Sequence, residues 1–173
     1  MAQVLFAGRL KDLMGLGQRV MEIADLVTPA GVVPSLKATS KKQALQELSR
    51  KAADLSGLDE REILDALIER ERLGTTGVGM GIAIPHSRFA KLDRLVGLFA
   101  RIDKPIPFDS VDEQPVDLIF LLLAPEAAGA DHLKALARVS RLLRDRSMCA
   151  KLRGCDSADA IYALLTETQA SAA

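Results

Sequence analysis

The sequence has no tryptophan and one tyrosine, and aromatic residues make up only 3% of its 173 positions. That scarcity excludes the stacking platforms on which single-stranded nucleic acid lies, and the aromatic surfaces that bind carbohydrate. Net charge is missing as well. The 23 basic and 23 acidic residues cancel, so no electrostatic argument favours nucleic acid or an anionic membrane. The two cysteines, Cys149 and Cys155, are too few for a disulfide framework and lack the spacing and companions of a metal site. They read as free thiols in a reducing compartment. The apolar run near the N-terminus is too short for the core of a signal peptide. "LIFLLLAP", after Asp117, falls well short of the ~20 residues that cross a bilayer. The expectation is a soluble, cytoplasmic protein with no membrane insertion, no nucleic-acid partner, no metal and no cofactor.

What remains is an ordinary globular composition, 49% hydrophobic and 27% charged, in a length that suits one domain. Residues 21–170 form that domain, and residues 1–20 read as an N-terminal extension with no role in the core. Ser40 and Gln43 make a capping box ahead of a helical stripe of Ala44, Leu45, Leu48, Ala52 and Leu55. Asp59 and Glu62 repeat the signal before Ile63, Leu64, Leu67 and Ile68, with Gly74 placed to stop the helix. Strands are predicted at 81–86, 94–102 and 115–125, with another near "GVVPSL". The strand at 115–125 is almost wholly apolar, as a central strand covered on both faces should be. Two more helical stripes follow: Leu133, Leu136, Val139, Ser140 and Leu143, then Ile161, Tyr162 and Leu165. Strands interleaved with helices predict an α/β layer structure.

Chemistry concentrates in "GTTGVGMGIAIPHSR", residues 74–88. Its glycines at 74, 77, 79 and 81 do not follow the dinucleotide-binding spacing, and no Gly-Lys-Ser/Thr closes a phosphate loop. The histidine after Pro85 becomes the candidate. His86 lies in the turn beyond a strand end, where α/β proteins place chemistry. Its imidazole is mostly neutral near pH 7, which leaves one ring nitrogen as a nucleophile. The other histidine, His132, opens a helix, where the macrodipole favours anions. Arg70 ends the helix before the glycine run.

Three blocks, "ERERLGTTGVGMGIAIPHSR", "PIPFDSVDEQPVDLIFLLLAPE" and "DHLKALARVSRLLRD", together resemble the enzyme IIA family of the bacterial phosphotransferase system. The branch is the one holding the mannitol, fructose and nitrogen-regulatory IIA proteins, and the resemblance runs from about Ile23 to about Leu165. It implies the mannitol-type IIA fold: a single-domain α/β sandwich whose central mixed, mainly parallel sheet is flanked by helices. It also implies that His86 accepts a phosphoryl group as a tele-phosphohistidine, with His132 and Arg70 beside it. The donor would be an HPr-like phosphocarrier. The glycine run and the Leu-rich block are closest to the nitrogen-regulatory branch, whose targets include kinases and potassium transporters. The alternative is a sugar-specific IIA component that passes phosphate to a IIB domain. Two positions depart from the family pattern: Ser87 stands where Gly or Ala is common, and Asp131 where Thr is common.

A bare interaction module would need neither histidine nor Arg70. A hydrolase using His86 as a base would lack a matching nucleophile with an acidic orienting partner. The chemistry itself asks for positioning and charge stabilisation rather than covalent machinery. The glycines, on this reading, keep the donor's approach open.

Overall fold

The computed structural model describes residues 20–167. The extension expected at residues 1–20 therefore lies almost entirely outside the described residues. Two 3-10 turns, Ile23–Asp25 and Pro29–Gly31, lead into β1 (Val32–Leu36). Helices α1 (Lys41–Ser56) and α2 (Glu60–Arg72) follow, then the short strands β2 (Gly77–Gly79), β3 (Ile82–Ala83) and β4 (His86–Phe89). The long strands β5 (Val96–Ile106) and β6 (Val116–Pro125) precede α3 (Ala130–Arg144), α4 (Arg146–Arg153) and α5 (Ala158–Glu167).

The sheet runs β1-β5-β6-β3-β2, with β4 continuing alongside β6. It is mixed, as expected. The pairs β1–β5, β3–β6 and β4–β6 are parallel, while β2–β3 and the long β5–β6 pair are antiparallel. Successive strand residues point to opposite faces, and β6 is apolar on both. Its Ile119, Leu121 and Leu123 pack with α1 and α2. Its Leu118, Phe120 and Leu122 pack with α3, α4 and α5. At roughly 1.5–3 kcal/mol for each fully buried aliphatic side chain, this one strand anchors both helical layers. The result is the α/β sandwich that the sequence predicts.

Local signals set most helix ends. The Ser40 hydroxyl accepts from the Gln43 N–H at 3.2 Å, and Asp59 accepts from the Glu62 N–H at 3.0 Å. The capping box at α1 is displaced by one residue, because the Gln43 side chain accepts from the Thr39 N–H at 2.8 Å. Glu126–Ala128 is a 3-10 turn, and Gly129 at φ +40° separates it from α3. Helix α4 follows directly from α3, with Asp145 between them. At eight residues it is too short to display a periodic stripe. Both cysteines are free, and Cys149 is buried with its thiol pushed up by that burial.

Gly77 and Gly81 have an internal role, whereas a Cβ on Gly74 would meet open space. A Cβ on Gly77 would lie 2.5 Å from the Ser110 hydroxyl and 3.0 Å from Ser110 Cα. Gly81 adopts φ +80°, and a Cβ there would lie 2.7 Å from the Arg153 guanidinium and 2.9 Å from Asp117. Those two side chains are joined, Arg153 Nε donating to Asp117 at 2.9 and 3.0 Å. The same guanidinium donates to the Met80 carbonyl at 2.7 Å. The hairpin turn is clasped from inside.

Candidate functional site

The predicted strand at 81–86 is two strands, and Pro85 is the reason. Having no N–H, a proline cannot donate to the ladder. The register nevertheless carries straight through: Ala83 lies opposite Ile119, His86 opposite Leu122, and Phe89 opposite Pro125. His86 is therefore the first residue of β4 and not part of a turn beyond the strand, which corrects the expectation. Strand alternation sends Phe89 into the core under α1 and α2 and turns His86 toward the α3 side.

That placement brings the two histidines together. The rings of His86 and His132 are edge to face, with centroids 5.6 Å apart. His132, in the first turn of α3, is only 4% exposed. The stripe predicted for α3 is rotated accordingly: Leu133 is 66% exposed, and the buried residues are His132, Ala135, Val139 and Leu143. Asp131, beside His132 in the first turn of α3, is exposed.

His86 is oriented by its own backbone. Its Nδ1 lies 2.8 Å from the Ile84 carbonyl oxygen. A carbonyl only accepts, so Nδ1 carries the proton and Nε2 holds the free electron pair. Burial pushes the His86 pKa below its ordinary 6.5. The Ile84 bond and the Glu71 carboxylate oppose that shift, and the Arg70 and Arg88 guanidinium groups reinforce it. Burial likewise lowers His132, helped by the charges of His86 and Arg88. Both of its ring nitrogens are buried without a hydrogen-bond partner, a condition that costs about 1–3 kcal/mol per group. Oxygens of a group carried on His86 Nε2 would supply that missing partner.

Arg70 sits at the C-terminal end of α2, donating to the Gly74 carbonyl at 2.8 Å. Its neighbour Glu71 is the residue the sequence concealed. In "ERER" it reads as one charge of a solvated run, yet its side chain is 6% exposed. Its carboxylate accepts from the Thr76 N–H at 3.2 Å and from the Thr76 hydroxyl, and pairs with Lys41 at 2.6 Å. Lys41 in turn lies 4.8 Å over the Phe108 ring. This knot ties the end of α2 to the start of β2, and so holds Arg70 near His86.

The lowered histidine pKa values make stability depend on pH. Above about 6.5 both rings are neutral in the folded and unfolded states alike. As pH falls below that value the unfolded chain binds protons that the folded chain refuses. Stability is therefore lost from pH ~6.5 down to the folded values, and then levels off. Thermal melts at about pH 7.5 and about pH 5.5 should show a smaller loss for His132→Gln than for the wild type. An equal loss in both would show that His132 does not titrate in this way.

Comparison with known proteins identifies the family. Residues 25–168 match the family described as the phosphoenolpyruvate-dependent sugar phosphotransferase system, EIIA 2. A nitrogen regulatory protein of Bradyrhizobium diazoefficiens is 60% identical over 153 residues, spanning 88% of this chain and 100% of that protein. The crystal structure of nitrogen regulatory protein IIA-Ntr from Neisseria meningitidis superposes with a TM-score of 0.79. It is 35% identical and covers 83% of this chain and 99% of the other. IIA mannitol from Escherichia coli shares the fold, with a TM-score of 0.69 at 21% identity over 80% of this chain and 98% of the other. The match over residues 25–168, together with 60% identity to the Bradyrhizobium protein across its whole length, places this chain in the phosphotransferase system EIIA type 2 family.

Proposed function

We propose that this chain is the phosphocarrier of a nitrogen-regulatory phosphotransferase system. It accepts a phosphoryl group on His86 Nε2 from an HPr-like protein and regulates target proteins according to its phosphorylation state. The observation that carries this reading is the histidine pair: one ring fixed by Ile84 with Nε2 open, the other buried beside it with unpaired nitrogens. In the step, the Nε2 electron pair forms the new N–P bond while the donor's N–P bond breaks. The electron pair of that bond returns to the donor nitrogen, and the proton stays on Nδ1, hydrogen-bonded to the Ile84 carbonyl. A neutral His132 donates one hydrogen bond to the phosphoryl oxygens, and Arg70 supplies charge to them.

The nitrogen-regulatory branch is supported by the name of the 60% identical Bradyrhizobium relative. A sugar-specific IIA component is the second reading, supported by the description of the family itself. Exposed Leu73 and Leu133, 85% and 66% accessible, lie close in sequence to Arg70 and His132 and suit an apolar rim for a protein donor.

Incubation with phosphoenolpyruvate, enzyme I and an HPr-like phosphocarrier should add the mass of one phosphoryl group, lost in acid and kept in base. An unchanged mass, or an acid-stable product, overturns the proposal. Passage of the label to a IIB domain would favour the sugar branch.

A further inference from the structure

We infer that Arg88 is a second phosphoryl-binding cation of this site, engaging the phosphoryl oxygens on His86 from the solvent side. The inference rests on the proposed acceptor role of His86 and extends it to a residue that the I-P-H motif does not contain.

The argument begins with the strand. β4 holds register with β6 from His86 through Phe89, so its side chains alternate faces. Phe89 points into the core beneath α1 and α2, which turns Ser87 the same way. His86 and Arg88 share the opposite face, the one that meets α3 and His132. Side chains two apart on a strand stand about 6.5–7 Å apart at the backbone, well within the reach of an arginine. Arg88 is exposed, and it pairs with no carboxylate among the described residues. Arg101 and Arg153, by contrast, are committed to Asp103 and Asp117.

Charge and hydrogen bonding favour a second cation. A phosphoryl group on nitrogen brings close to two negative charges. His132 is buried and offers a hydrogen bond without a charge. Arg70 supplies one positive charge, and part of its guanidinium is already held by Gly74. With Nδ1 still protonated the phosphorylated ring carries a second positive charge, but it offers the equatorial oxygens no hydrogen-bond donor; Arg88, on the same face of the strand, can supply one. Consistent with this placement, its charge acts on both histidines.

The transfer is the one written above, with Arg88 forming no covalent bond. Its guanidinium gathers equatorial oxygens while the phosphoryl group moves between nitrogens, and holds them afterwards.

The test uses the full chain and the HPr-like donor, comparing wild type, Arg88→Ala and Arg88→Lys. Arg88→Ala should accept the phosphoryl group roughly ten- to hundredfold more slowly. Arg88→Lys should restore part of the rate, because a point charge lacks the bidentate fork. The deficit should shrink as ionic strength rises, since an exposed charge is screened. The phosphohistidine of Arg88→Ala should also hydrolyse with an altered half-life, which a merely structural role would not change. Melting temperatures should be equal, because Arg88 is exposed and unpaired. Wild-type rates for Arg88→Ala, in a background where wild type is phosphorylated on His86, overturn this inference alone. A wild-type protein that takes up no phosphoryl group overturns the acceptor reading beneath it.

Discussion

Replacing His86 with alanine should leave a protein that takes up no phosphoryl group, while His132→Ala and Arg70→Ala still become phosphorylated slowly on His86. The difference follows from what each group supplies. His86 presents an open ring nitrogen on a partly exposed ring, because Ile84 holds the proton on the other nitrogen. No neighbour can replace that bond-forming atom. His132 contributes a hydrogen-bond donor and Arg70 a charge, and removing one such stabilising group costs on the order of 10²–10³ in rate. Single-turnover transfer from a labelled HPr-like donor measures all three variants. His132 cannot stand in as acceptor, being 4% exposed and shielded from an incoming protein. A phosphorylated His86→Ala beside an inert His132→Ala would exchange the two roles.

Glu71→Ala is expected to damage both stability and transfer, although Glu71 touches no reacting atom. Its carboxylate is enclosed and holds three partners: the Thr76 N–H, the Thr76 hydroxyl and Lys41. Alanine leaves a buried threonine and a largely covered lysine without their acceptor. Hydrogen bonds to a charged group contribute about 1.5–3 kcal/mol each, and orphaning one member of a buried pair is costly. A loss on the order of 3 kcal/mol is expected, allowing for the relief that Asp109, 3.8 Å from Lys41, provides. For a domain of this size that lowers the melting temperature by roughly 6–12 °C. Phosphoryl transfer should slow as well, because the knot fixes the end of α2 that carries Arg70. Glu71→Gln keeps acceptors for Thr76 but loses the charge facing Lys41, and should fall between the two. A Glu71→Ala protein with wild-type melting and wild-type transfer would show that Arg70 is held by other means.

Much of this architecture is legible in the chain before it folds. The capping residues Ser40 and Asp59 mark the starts of α1 and α2 because their side chains bond amides only a few positions away. The unbroken apolar run of β6 announces a strand covered twice, and the structure covers it twice. The I-P-H motif singles out His86 for a local reason too, since the Ile84 carbonyl that orients the ring is two residues away.

The remainder depends on segments far apart in sequence. An apolar stripe drawn along α3 selects Leu133, yet it is the polar His132 that turns inward, because its partner is the His86 ring. Nothing local to α3 reveals that ring. Glu71 looks solvated among its charged neighbours until Lys41 and Thr76 close over it. Gly77 and Gly81 read as room for a visitor until Ser110, Asp117 and Arg153 are seen against them. Arg88 joins the site only through the register of β4 on β6. Short-range bonds and side-chain periodicity are written residue by residue. Which polar group is buried, and against which partner, is settled only when the sheet brings α2, β4 and α3 to one corner.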